Sequence, residues 1–212
     1  MHRTFSLLLG IAIALLTPTG PALGLTLKPG DPAPPIVVGK WIRPPRPEGG
    51  PPKIGVISFF STWSNPSKQT YPIVAKLAEA HKGMVSVTAI AVYEKNANAG
   101  GAHYATVASF VKQMGAQMPY PVGVDGPQGT MARTWLEASG ERGVPVSFII
   151  GRNGKIQWIG HTMMLEYFLR QILERKFNFA QYRAEWLKDK EQEEREYRLF
   201  KKFNELAESG QH

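Results

Sequence analysis

Two stretches of the chain, Lys53 to Phe60 and Val85 to Tyr93, read as strands with hardly a polar residue in the second. A strand with one wet face alternates apolar and polar residues, whereas a strand covered on both faces does not. Both are therefore expected inside a sheet with a layer on each side. Between them Ile73, Val74, Leu77 and Ala78 fall at helical spacing, which predicts a helix reaching about Lys82. Residues 103 to 115 set Val107, Phe110, Val111 and Met114 on one helical side, and Pro121 to Val124 reads as a short strand. Gln128 to Ala138 and Leu165 to Leu173 read as helices. Val146 to Ile150, Gly-Arg-Asn-Gly and Lys155 to Ile159 make a hairpin with an Asn-Gly turn. Strands alternating with helices and closed by a hairpin predict an α/β sandwich of three layers around a mixed sheet.

The ends are different. Residues 1–24 read as a targeting segment: His2 and Arg3, then an apolar stretch from Phe5 to Leu16 that is short for a bilayer, then helix-breaking Thr-Pro-Thr-Gly-Pro. Ala22-Leu23-Gly24 supplies small residues where a signal peptidase reads, so cleavage after Gly24 and export to the periplasm or medium are expected. After cleavage no stable membrane insertion is expected; an uncleaved N-terminal anchor is the alternative. Residues 25–52 form an extended lead-in, with Ile36 to Val38 as a short strand and the Pro/Gly-rich residues 43–52 as a loop. The main domain is expected over 53–176 and a helical extension over 177–212. In that extension Glu191/Arg195 and Glu194/Arg198 are i,i+4 pairs, and aromatics gather at both ends: Phe177, Phe179, Tyr182 and Trp186, then Tyr197, Phe200 and Phe203. Such a helix either docks on its own domain or holds a partner.

The chain of 212 residues carries 25 Lys+Arg against 17 Asp+Glu. From Lys176 onward 8 basic residues face 8 acidic ones, so the positive excess lies upstream. No basic run interleaved with aromatics supports nucleic-acid binding. There is no cysteine, which removes every thiol reaction and the bacterial type of lipid anchor. The five histidines, His2, His81, His103, His161 and His212, include no pair at ligand spacing, and no glycine cluster forms a phosphate loop. Neither a metal nor a cofactor is expected.

The segment Phe59-Phe-Ser-Thr-Trp63-Ser64-Asn-Pro66-Ser67-Lys68, followed by Pro72 in the helix, resembles the thioredoxin active-site corner, Trp-Cys-x-x-Cys with a kinking proline at that offset. Gly143-Val144-Pro145-Val146-Ser147-Phe148 resembles the segment whose proline is cis in thioredoxins and faces the dithiol. The Asn153-Gly154 hairpin and Trp158-Ile-Gly160-His161 follow in family order. Gly30-Asp-Pro-Ala-Pro34 and an extra strand–helix block over residues 94–140 are similar to the exported TlpA/ResA-like redoxins. The resemblance covers roughly residues 28 to 175 and implies a thioredoxin-like fold.

The family's reaction is thiol–disulfide exchange, in which a thiolate held at a helix N-terminus attacks and a second thiol resolves. Here serines stand at both positions, Ser64 and Ser67, and Ser58 stands where the family buries a carboxylate. A serine hydroxyl stays protonated and cannot enter that exchange. Ser64 could act as a nucleophile only with a base such as His161, but no orienting acid and no Gly-x-Ser-x-Gly elbow accompany it. The plainer expectation is that Ser64 caps the helix and Ser67 packs beneath it. No catalytic residue is expected. The resemblance further implies a groove lined by Trp63, Val144, Pro145, Gly160 and His161, which would hold an extended polypeptide by strand addition. Three readings follow: a non-catalytic polypeptide-binding or scaffold protein, a thiol-disulfide oxidoreductase whose cysteines were lost or engineered out, and a protein that binds its partner through the C-terminal helix.

Overall fold

The computed structural model describes residues 25–46, 53–97 and 100–208. The targeting segment, most of the Pro/Gly loop and the last four residues lie outside the described residues. The strands are β1 (Lys40–Arg43), β2 (Ile54–Phe60), β3 (Val85–Ala91), β4 (Val122–Val124), β5 (Val146–Ile150) and β6 (Ile156–His161). The helices are α1 (Asn65–Ala80), α2 (Ala102–Met114), α3 (Leu165–Leu173) and α4 (Phe179–Glu208). One sheet runs β1-β4-β3-β2-β5-β6. Its inner pairs β2–β3 and β3–β4 are parallel, and β1–β4, β2–β5 and β5–β6 are antiparallel. The sheet is mixed and the protein α/β, as expected.

The apolar strands are apolar because each face of the sheet has its own core. Val56 and Phe60 of β2 pack with Val74 and Leu77 of α1 and Val107 of α2 on one face. Ile57 and Phe59 turn the other way, onto Trp135, Phe148 and Trp186. Period-two alternation thus sorts one strand into two buried sets.

Two local expectations change. Ile36 to Val38 is extended but joins no ladder; Val37 donates its N–H to the Met131 sulfur, and the strand begins at Lys40, paired with Val124. The turn from Gln128 to Ala138 is less regular than a single α-helix, passing through a π turn (Ala132–Leu136) and a 3₁₀ turn (Glu137–Ser139). The C-terminal helix docks by its first half: Trp186 is buried while Leu199, Phe200, Phe203 and Leu206 are exposed. No described helix is long and apolar enough to cross a membrane.

The edge strand β6 is closed by both ends of the chain. Gly30 donates its N–H to Ile156 O (2.8 Å), Ile156 donates to Asp31 O (2.9 Å), and Pro32 bridges Lys155. Farther along, the Tyr182 hydroxyl accepts from Ile159 N–H (2.9 Å) and donates to Ile159 O (2.8 Å). An open row of N–H and C=O groups would otherwise template pairing with another chain. Tyr182→Phe leaves both Ile159 groups without this partner, and the expected cost is about 1–3 kcal/mol. Chemical denaturation checks it; an unchanged midpoint would mean that water serves Ile159 equally well.

Candidate functional site

β2 ends at Phe60 and the chain turns into α1 through Ser61 to Ser64. Ser64 is the N-cap, with an extended backbone (φ −79°, ψ 113°), and its Oγ accepts from Ser67 N–H at 3.3 Å. That bond satisfies one of the four donors a helix start leaves open. Pro66 sits in the first turn, where its missing N–H costs nothing. Ser67 is fully buried, and its hydroxyl donates no hydrogen bond within the described residues; Ser61 N–H approaches its Oγ at 3.5 Å. Ser58 is buried opposite Ser147 across the β2–β5 ladder, on the strand face that carries Val56 and Phe60. Position 58 therefore lies on the α1 side of the sheet, but with a hydroxyl and no carboxylate.

A carboxylate does brace this corner from elsewhere. Glu94 is buried just after β3, and Thr62 donates to it twice, from N–H to Oε1 and from Oγ1 to Oε2, each at 2.6 Å. Ser61 Oγ donates to Val92 O (2.6 Å) beside it. Sequence reasoning passed over Glu94, because a single acid at a strand end carries no pattern; Thr62, directly before the Trp-Ser corner, was the only pointer.

Trp63 is 50% exposed, and its indole N–H donates to Tyr93 O at 2.9 Å. Tyr93 takes a left-handed backbone (φ +54°), uncommon for a bulky residue and characteristic of functional rims. The Val144–Pro145 bond is cis. Between these elements lies a cleft of about 1030 Å³ whose lining includes Trp63, Ser64, Pro66, Tyr93 and Val144. Pro145 is not part of that lining, nor are Gly160 and His161. The latter two sit on β6, paired with Ser147 and Val146, and His161 Nδ1 accepts from Met163 N–H at 3.4 Å. No hydrogen bond joins Ser64 to His161 among the described residues. Gly160 has a packing reason: a Cβ there would meet Trp158 Cζ2 at 2.6 Å. Among the described residues no group of His, Asp or Glu converges as a metal site.

α4 reaches the cleft through Glu194. Lys190, almost wholly buried beside Trp186, forms ion pairs with Glu141 and Glu193, each at 2.9 Å. Burial alone would lower its pKa, but the two carboxylates outweigh burial and hold the ammonium above its ordinary range. Arg142 bonds Glu194 at 2.7 Å and lies 3.8 Å from the centre of the Tyr197 ring. The loop leading to the cis-proline is thus tied to the tail helix, and Glu194 itself lines the cleft.

A strand, a Trp-led corner capping a proline-bearing helix, and a cis-proline at the start of an antiparallel hairpin together define a thioredoxin fold. No family model matches the sequence. The chain is 32% identical over 160 residues to Protein FixW of Rhizobium leguminosarum, covering 70% of this chain and 67% of that one. Among solved structures it resembles a Chlorobium tepidum protein assigned as the thiol:disulfide interchange protein DsbE, at 22% identity and a TM-score of 0.51 over 71% of this chain and 99% of that one. It also resembles a thioredoxin-like protein solved in the oxidized form, at 17% identity and a TM-score of 0.55 over 70% and 98% of the two chains. A Bacteroides thetaiotaomicron protein assigned as a disulfide isomerase matches at 19% identity and a TM-score of 0.52 over 70% and 89%. The chain belongs to the family of Protein FixW and has the thioredoxin-like fold of these solved structures.

Proposed function

We propose that this redoxin is an exported, non-catalytic polypeptide-binding protein, which keeps the family's groove without its reagent. The observation that carries this reading is the pairing of a half-exposed Trp63 and Val144 on one cleft with hydroxyls at positions 64 and 67. Ser64 Oγ is occupied as a helix cap, and no base bonds it among the described residues. Neither hydroxyl can form or break a disulfide. Val144, by contrast, precedes the cis bond at the cleft wall, and its backbone N–H and C=O make no hydrogen bond among the described residues. These are the groups that strand addition uses. Export is inferred from the targeting segment, and the family likeness agrees with it.

The test uses a labelled, unfolded polypeptide with blocked thiols. The protein is expected to bind it while reducing no disulfide, and Trp63→Ala is expected to weaken binding by about tenfold or more, as removal of an aromatic anchor does. Equal binding by protein and variant would remove the cleft from the reading. The exposed Leu199, Phe200, Phe203 and Leu206 favour a second reading, in which the free half of α4 holds a partner. Loss of binding on deleting residues 195–212, with Trp63→Ala silent, would favour it.

A further inference from the structure

The protein as a whole is basic, with a formal net charge of +8. The cleft reverses that sign. Its lining carries three carboxylates, Glu137, Glu141 and Glu194, against one guanidinium, Arg142. Arg142 is already engaged by Glu194, whose other oxygen faces Arg198 at 3.6 Å, and Glu141 by Lys190. Glu137 forms no ion pair among the described residues. Tyr93 registers the same field: burial and then the negative charges of Glu137 and Asp125 push its phenol up to about 12. The remaining lining is apolar or aromatic, with Trp63 half-exposed, Leu25, and Val144 beside the cis-proline.

We propose that the cleft selects extended polypeptide segments in which an aliphatic side chain adjoins a lysine or arginine. This selection rests on the polypeptide-binding reading above. The aliphatic group covers Trp63 and Val144, and the cation is drawn to Glu137, the lining carboxylate that no ion pair engages among the described residues. An acidic neighbour in the segment meets uncompensated negative charge and is rejected, so the discrimination is partly repulsive.

Three capped peptides test this by calorimetric titration of the full chain at low salt: acetyl-Ala-Leu-Lys-Ala-amide and its Gln and Glu counterparts at the third residue. The Lys peptide is expected to bind about tenfold more tightly than the Glu peptide, with Gln between, as one exposed attraction for Lys and one exposed repulsion of Glu, each of ordinary strength, predict. Glu137→Gln is expected to narrow that ratio to about threefold. Equal binding of all three peptides overturns the selection and leaves the groove intact. Binding of none overturns the groove reading and the selection with it. A Lys preference that survives unchanged in Glu137→Gln places the cation elsewhere on the surface and also overturns the proposal.

Discussion

Ser64→Cys/Ser67→Cys is expected to acquire thiol–disulfide exchange, for which the chain itself has no cysteine. Position 64 is the N-cap of α1, and the Ser67 N–H already points at its side-chain oxygen from 3.3 Å. A sulfur placed there meets the same unpaired N–H groups and the positive end of the helix dipole, which favour thiolate. Its thiol is expected to titrate roughly between 3.5 and 7.5, below the ordinary value near 8.5. Position 67 is closed to solvent, so the thiol at 64 attacks and the thiol at 67 resolves. Ser58 offers no carboxylate to take the second proton, so resolution is expected to lag and a mixed disulfide to accumulate. Thiolate absorbance against pH and trapping with a model disulfide check both parts. A thiol titrating like free cysteine would mean that the corner no longer activates sulfur.

The other large effect is alkaline unfolding. Tyr71, Tyr120 and Tyr182 hold their protons well above the phenol range, chiefly because burial disfavours the phenolate. In the unfolded chain these groups ionise near pH 10. Above that pH the unfolded state binds fewer protons than the native state, so stability falls as pH rises, by about 1.4 kcal/mol per pH unit for each group. Three such groups give about 4 kcal/mol per unit between pH ~10 and ~12. Lys190 acts in the same direction: its raised pKa stabilises the fold below the unfolded value and is lost as pH climbs through the folded one. Urea midpoints measured across this window should fall steeply. A flat profile would mean that the tyrosines ionise in place without opening the fold.

Much of the fold was legible because burial imposes periods on sequence. The apolar run at Val85 and the stripe of Val107 and Val111 could hardly be misread, and α3 covers Leu165–Leu173 as its pattern predicts. Ile36 to Val38 misled because β-branched residues fit any extended backbone, whereas a strand also needs a neighbour with free N–H and C=O groups. That neighbour, β4, lies opposite Lys40 to Arg43. At the site, the Ser64 cap and the cis bond at Pro145 were legible from local motifs. Glu94 on Thr62, Lys190 beneath Glu141 and Tyr182 on Ile159 were not, since each joins residues with no shared pattern. The same holds for the sign of the cleft, whose carboxylates come from the 3₁₀ turn, the loop after it and α4.

The closure of β6 changes what counts as the folding unit. Family resemblance ends near residue 175, but Tyr182 satisfies an edge strand, Arg183 donates to Pro29 O (3.0 Å), and Trp186 completes a core. Residues 29–32 and the first three turns of α4 are therefore expected to open and close with the sheet as one cooperative block. Hydrogen exchange would group their amides with β6, while those beyond Tyr197 exchange on their own. A boundary drawn by homology would cut through that block, leaving a sheet edge that pairs with its own copies.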